Sequence, residues 1–153
     1  TVEAAGYMRS TRVEEIAHFA KEAGFSHLGV AFCIGLADEA RAFVEFLERS
    51  FDVSSVCCKV CGVKKAALGL RRRRSEDEVM CAPVAQADLL NEAGTELNIV
   101  IGLCVGHDAV FTQRSAAPVT TLIAKDRVLG HNPAAALYSG YWKKKLLDAG
   151  GNK

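Results

Sequence analysis

Leu97-Asn98-Ile99-Val100-Ile101-Gly102-Leu103-Cys104-Val105-Gly106 is the longest near-continuous apolar run in the chain, and its reading decides the fold. It is half the roughly 20 residues that a membrane-spanning helix needs. It also lacks the apolar–polar alternation of a strand with one wet face. A strand over Leu97–Cys104, buried on both faces of a parallel sheet, fits it best. Three other short apolar runs have the same character: Leu28–Cys33, Val53–Cys58 and Val119–Ala124.

Helical patterns lie between these runs. Thr11-Arg12-Val13-Glu14 has the spacing of a capping box, and Val13, Ile16, Ala17 and Ala20 form one apolar face behind it. Gly24 suits the position just past that helix. Gly35 opens a second helix whose buried face is Leu36, Ala40, Phe43, Val44 and Leu47. A third starts near Pro83, suited to a first helical turn, and ends at Gly94. A helical piece is expected near Asp108–Ser115, and a last helix with Asn132 as N-cap and Pro133 at its first position runs into Lys143-Lys144-Lys145. Residues 62 to 80 are irregular, and Arg71 to Arg74 are neutralised locally by Ser75-Glu76-Asp77-Glu78, as in a solvated loop. Strands alternating with helices predict a single three-layer, Rossmann-like α/β domain over residues 1–153, with a mostly parallel sheet of about four to five strands.

Composition narrows the function classes. The chain has 153 residues, half of them apolar, 24% charged, and a formal net charge of +1. That excludes a disordered chain and gives no electrostatic reason to expect nucleic acid or an anionic membrane as partner. The first thirty residues lack a basic segment followed by an apolar one, so a cytoplasmic location with reduced thiols is expected; a leader cleaved before Thr1 would leave the same sequence. No Walker A loop and no G-x-G-x-x-G is present, so a standard nucleotide site has no support.

Six cysteines are too few for a disulfide scaffold, where roughly 8–10% is usual, and a chain of this length needs no staples. Their placement is what stands out. Cys33, Cys58 and Cys104 fall at or near the carboxyl ends of expected strands, with Cys57 beside Cys58, Cys61 one short step later and Cys81 just before the third helix. In parallel sheets ligands bind beyond that edge.

Three chemistries fit. Cys58-Lys59-Val60-Cys61 has the C-x-x-C spacing by which two thiolates grip one ion, and Cys33, Cys81, Cys104 and His107 would complete the shell of a zinc ion or an iron–sulfur cluster. The same pair would cycle between dithiol and disulfide, with Lys59 favouring thiolate. Gly102-Leu103-Cys104-Val105-Gly106 matches a nucleophile elbow, with His107 or His131 as base and Asp108 or Asp126 to orient it, in a hydrolase or transferase. Plain readings accompany each. Free cysteines fill cores, Gly102 and Gly106 serve tight turns, and Asp108 serves as a helix cap. By these readings the chain is a ligand-binding module whose cysteines are core filler.

Longer stretches carry a resemblance. Ala31-Phe32-Cys33-Ile34-Gly35-Leu36, Val56-Cys57-Cys58-Lys59-Val60, Met80-Cys81-Ala82-Pro83, Gly102-Leu103-Cys104-Val105-Gly106-His107-Asp108 and Lys125-Asp126-Arg127-Val128-Leu129-Gly130-His131-Asn132-Pro133 resemble the prokaryotic family called domain of unknown function 1847, from about Tyr7 to Leu147. Members are described as metal-binding, with no reaction attached. The resemblance therefore implies a cysteine-rich metal or cluster site and carries over Cys33, Cys58, Cys81, Cys104, His107, Asp108 and His131. Relatives often have glycine in place of Cys61, cysteine in place of Met8, and a further cysteine-rich segment upstream.

The combined expectation is a thiolate site on the carboxyl rim. Cys33, Cys58, Cys81 and Cys104 are its ligands, and Cys61 is an additional one. His107 and His131 act as ligands or as donors to ligands, and Asp108 orients one of them. An iron–sulfur cluster would imply electron transfer or sensing with a redox protein partner, and zinc with an open position would imply hydrolysis. Self-association stays open.

Overall fold

A computed structural model of the chain describes residues 6–71, 75 and 77–149. Helix α1 (Arg12–Glu22) begins at the predicted capping box: Thr11 Oγ1 accepts from the Glu14 backbone N–H, and the Glu14 carboxylate accepts from the Thr11 N–H. Strand β1 (His27–Phe32) follows, then a 3-10 turn (Ile34–Leu36) that leads into α2 (Ala37–Leu47). Next come β2 (Asp52–Cys57), a 3-10 turn (Lys65–Leu68), α3 (Pro83–Glu92), β3 (Leu97–Ile101), α4 (Val105–Arg114) and β4 (Val119–Ile123). Two C-terminal helices, α5 (Ala135–Tyr138) and α6 (Gly140–Ala149), complete the order.

The four strands form one all-parallel sheet in the order β2-β1-β3-β4. Each central strand is buried on both faces, and alternate residues supply two separate cores. Leu28, Val30, Leu97, Ile99 and Ile101 join Ile16 and Ala20 of α1 and Ala40, Phe43 and Leu47 of α2. Ala31 and Val100 face the other way, toward Ala87 and Leu90 of α3 and Phe111 of α4. Helices therefore cover both faces, the expected three-layer arrangement. Cys33 and Cys58 belong to the second core, at its carboxyl-end rim.

Two expected elements have different limits. The strand read as Leu97–Cys104 stops at Ile101, because Gly102 turns into the left-handed region at φ 61° and leaves the sheet. Cys104 consequently caps α4 instead of ending β3. The single C-terminal helix is two pieces: Ser139 is extended (ψ 123°) and breaks the run, and Asn132 lies in the turn before α5, whose N-cap is Ala134. In the basic stretch Arg71–Arg74 and its acidic partner Ser75–Glu78, Arg72, Arg73, Arg74 and Glu76 lie outside the described residues. Of the remainder, Asp77 accepts from Lys64 at 2.6 Å, both side chains largely in water.

Gly102 has a double constraint. Its φ is one that residues with a Cβ adopt at a cost, and a Cβ there would run into the buried side chain of Leu36. Gly102→Ala is expected to lower stability by roughly 2–4 kcal/mol, combining the left-handed penalty with overpacking. A shift of the urea midpoint would measure it, and an unchanged midpoint would refute both constraints.

Candidate functional site

The site begins with strand register. β1 and β2 pair in parallel with Phe32 opposite Cys57, and the Cys58 N–H donates to Phe32 O at 2.8 Å. The next residue on each chain is a cysteine, so Cys33 and Cys58 leave the sheet side by side, one strand spacing apart (~4.8 Å). Both are buried in the same core cluster.

Backbone amides surround the pair. Cys33 sits at the N-terminus of the turn that becomes α2, where amide groups have no partner within the helix. The Gly35 N–H donates to Cys33 Sγ, and the Ile34 N–H donates to Cys58 Sγ at 3.4 Å. From the other side of the sheet the Lys125 ammonium donates to Cys33 Sγ. Lys125 follows β4 by two residues, and its aliphatic stem passes beside Gly102.

The two thiols divide one proton unequally. Cys33 is held as thiolate, its pKa lowered to about 4, first by the hydrogen bond from the Cys58 thiol and then by Lys125 and the Gly35 amide, against the opposing effect of burial. Cys58 is pushed up because it donates to Cys33 and is desolvated, with Cys81 adding to the rise from nearby. Cys33 is thus the sulfur favoured as thiolate at neutral pH and Cys58 its thiol partner, with the charge of Cys81 acting on Cys58 from nearby.

A hairpin-like excursion from β2 carries Cys81 back to the rim. Lys64 and Val79 form an antiparallel bridge, the Lys65 N–H donates to Glu78 O at 2.8 Å, and the Met80 N–H donates to Val63 O at 2.8 Å. Lys59 Nζ donates to Val79 O, and the Ala82 N–H donates to Cys58 O at 2.9 Å. Cys81, half-buried, is thereby tied beside Cys58.

The remaining predicted residues are distributed around this core. Cys61 is exposed in the turn after β2, so the pair that forms is Cys33–Cys58 and not the C-x-x-C pair. Cys104 is half-buried at the N-cap of α4, with φ −68° and ψ 151°, relaxed extended values. A nucleophile elbow places its strain at the nucleophile; here the positive φ is at Gly102. His107 and Asp108 lie in the first turn of α4. Asp108 lines a cleft of about 530 Å³ with Leu103, Thr112, Lys125 and Pro133, and burial pushes its carboxyl up against a hydrogen bond with Thr112.

His131 is left-handed at φ 64°, and its Nδ1 accepts from the Asp126 N–H at 3.2 Å, which leaves Nε2 as the protonated nitrogen of the neutral ring. Asp126 in turn accepts from the Val128 and Leu129 amides at 2.9 Å. Both side chains therefore hold the turn after β4. Among the described residues no three His, Cys, Asp or Glu side chains are grouped to hold a metal ion, so neither Cys81 nor Cys61, Cys104, His107 and His131 complete a shell around the sulfur pair in this structure. The donors that are together, Cys33 and Cys58 with Cys81 nearby, suit a soft ion or cluster.

Two residues of the site had no role in the sequence reading. Lys125 was legible as the first polar residue past the apolar run of β4, at the rim where ligands bind. Gln86 lies in the interior of α3, and nothing in its local pattern distinguishes it from a surface position.

The thiolate has a pH signature. Because the folded Cys33 releases its proton near pH 4 and an unfolded thiol near 8.5, the unfolded chain binds more protons between those limits. Stability from this group accordingly rises with pH across that window and is lost as pH falls through about 4. Ultraviolet thiolate absorbance is expected to persist in the folded protein down to that region, to vanish in Cys33→Ser, and to titrate at higher pH in Lys125→Met. A Cys33→Ser protein with unchanged thiolate absorbance at pH 6 would refute the assignment.

Residues 1–122 match the family described as "Protein of unknown function (DUF1847)". The chain is also 51% identical over 148 residues to an uncharacterized protein of Methanocaldococcus jannaschii, an alignment that covers 96% of this chain and 77% of that protein. No helix among the described residues is long and apolar enough to cross a membrane. The cysteine-rich α/β chain therefore belongs to the DUF1847 family.

Proposed function

We propose that this protein binds a soft metal ion or an iron–sulfur cluster through Cys33 and Cys58, with Cys81 as the nearest further ligand. The observation that carries the reading is that two buried cysteines leave paired strand ends side by side, with Lys125 donating to one sulfur and the Ile34 amide to the other. Thiolate is the form that ligates. Cys33 is already in it, and Cys58 would reach it by releasing its proton as an ion binds. Bound there, a cluster would supply electron transfer or sensing with a redox protein partner, and zinc a Lewis acid. The residues of the chain hold the charge: Lys125 offsets one thiolate, and the Ile34 and Gly35 amides donate to the two sulfurs. A reducing compartment such as the cytoplasm would keep the thiols available.

Anaerobic purification followed by metal and acid-labile sulfide analysis tests this. Metal is expected in the wild-type protein and is expected to be lost in Cys33→Ser and Cys58→Ser, with little change in Cys61→Ser. Metal-free wild-type protein, or metal content unaffected by the first two substitutions, would overturn it.

The thiolate–thiol contact also favours a second reading, reversible formation of a Cys33–Cys58 disulfide. That step removes two electrons and the one proton held by the thiolate–thiol pair, and requires an external disulfide or other oxidant. A mass loss of two hydrogens mapped to these residues on mild oxidation is its expected sign, and oxidation confined to Cys61 would exclude it.

A further inference from the structure

Gln86 is fully buried in α3, beneath the strand ends that carry the two sulfurs. Its Nε2 donates to Phe32 O at 3.2 Å and to Val56 O at 2.7 Å. Phe32 immediately precedes Cys33, and Val56 lies two residues before Cys58. Two carbonyl oxygens at the same end of the amide fix its orientation, since the flipped group would set oxygen against oxygen. Its Oε1 is buried with no hydrogen-bond partner among the described residues. A bare buried acceptor is unfavourable. An apolar side chain of similar size would fill the space without that penalty, so what the amide contributes is its pair of donations.

Those donations tie three cysteine-bearing segments together. Gln86 joins the end of β1 to the end of β2. Its helix begins two residues after Cys81, where the Ala82 N–H is bonded to Cys58 O at 2.9 Å. β2 is an edge strand of the sheet, paired with β1 alone, so no second strand holds its end. Taking Cys33 and Cys58 as the working pair, as in the reading above, we propose that Gln86 is its positioning residue. From α3 it holds both strand ends, so that the two sulfurs form a preformed grip for one thiophilic atom.

Phenylarsine oxide is a suitable probe because it reports sulfur spacing whatever the natural ligand. Its trivalent arsenic forms bonds to two sulfurs, while the As–O bond breaks and the oxygen leaves as water with the Cys58 proton and one proton from solvent; no oxidant or reductant is needed. The wild-type protein is expected to take up one equivalent bridging Cys33 and Cys58. Gln86→Met is expected to bridge roughly 10–100-fold more weakly, the usual loss when a group that orients a ligand is removed. Asn98→Ala is the control for a lost buried amide. Asn98 bonds Ser115 and Thr95, away from the rim, so this variant is expected to lose stability and keep wild-type bridging. Wild-type bridging in Gln86→Met overturns the positioning role and leaves the sulfur pair intact. A wild-type adduct that maps away from Cys33 and Cys58 overturns the pair itself. If Gln86→Met does not fold, Gln86→Glu serves: it is nearly identical in shape, has at most one hydrogen to donate, and wild-type bridging in it overturns the proposal equally.

Discussion

The parallel register between β1 and β2 is the constraint on which the site depends. In a parallel pair, residues that follow the last paired positions leave the sheet at the same edge and in the same direction. Phe32 opposite Cys57 therefore places Cys33 beside Cys58, although they are far apart along the chain. A one-residue slip would move either side chain to the other face of the sheet. That register is specified by the two cores, since Leu28 and Val30 must face α1 and α2 while Ala31 faces α3.

Around this pair the chain concentrates positive charge and amide donors. Lys125 follows β4, at the far edge of the sheet, and its ammonium donates to Cys33 past the end of β3. The same glycine that stops the strand accommodates Leu36 beneath it and the lysine stem beside it. Ile34 and Gly35 provide amides because the turn they start is the beginning of α2. A thiolate in a buried position is costly unless such partners are present, and here three elements supply them.

The cysteines fall into two groups by environment. Cys33 and Cys58 are buried and coupled, and Cys81 is bound beside them by the excursion between β2 and α3. Cys61 is exposed, and Cys104 is at the cap of α4, next to the cleft that Asp108 and Lys125 line. Lys125 touches both regions, since it contacts Cys33 and also lines the cleft.

Local pattern by itself determined most of the elements and the layer order. Capping chemistry, apolar periodicity and continuous apolar strands act within a few residues, so α1, α3 and the four strands were legible to within a few positions. The collection of cysteines near one edge followed from those strand ends. The pairing of sulfurs did not. C-x-x-C spacing pointed to Cys58 with Cys61, whereas the strand order β2-β1 makes Cys33 the partner. The reach of Lys125, the clamp of Gln86 and the breaks at Gly102 and Ser139 likewise arise from contacts or turns that local periodicity does not encode. Sequence specifies which residues prefer strand, helix or cap. Which ends become neighbours is decided when two cores close on both faces of one sheet, because only one strand order and register bury both sets of apolar side chains at once.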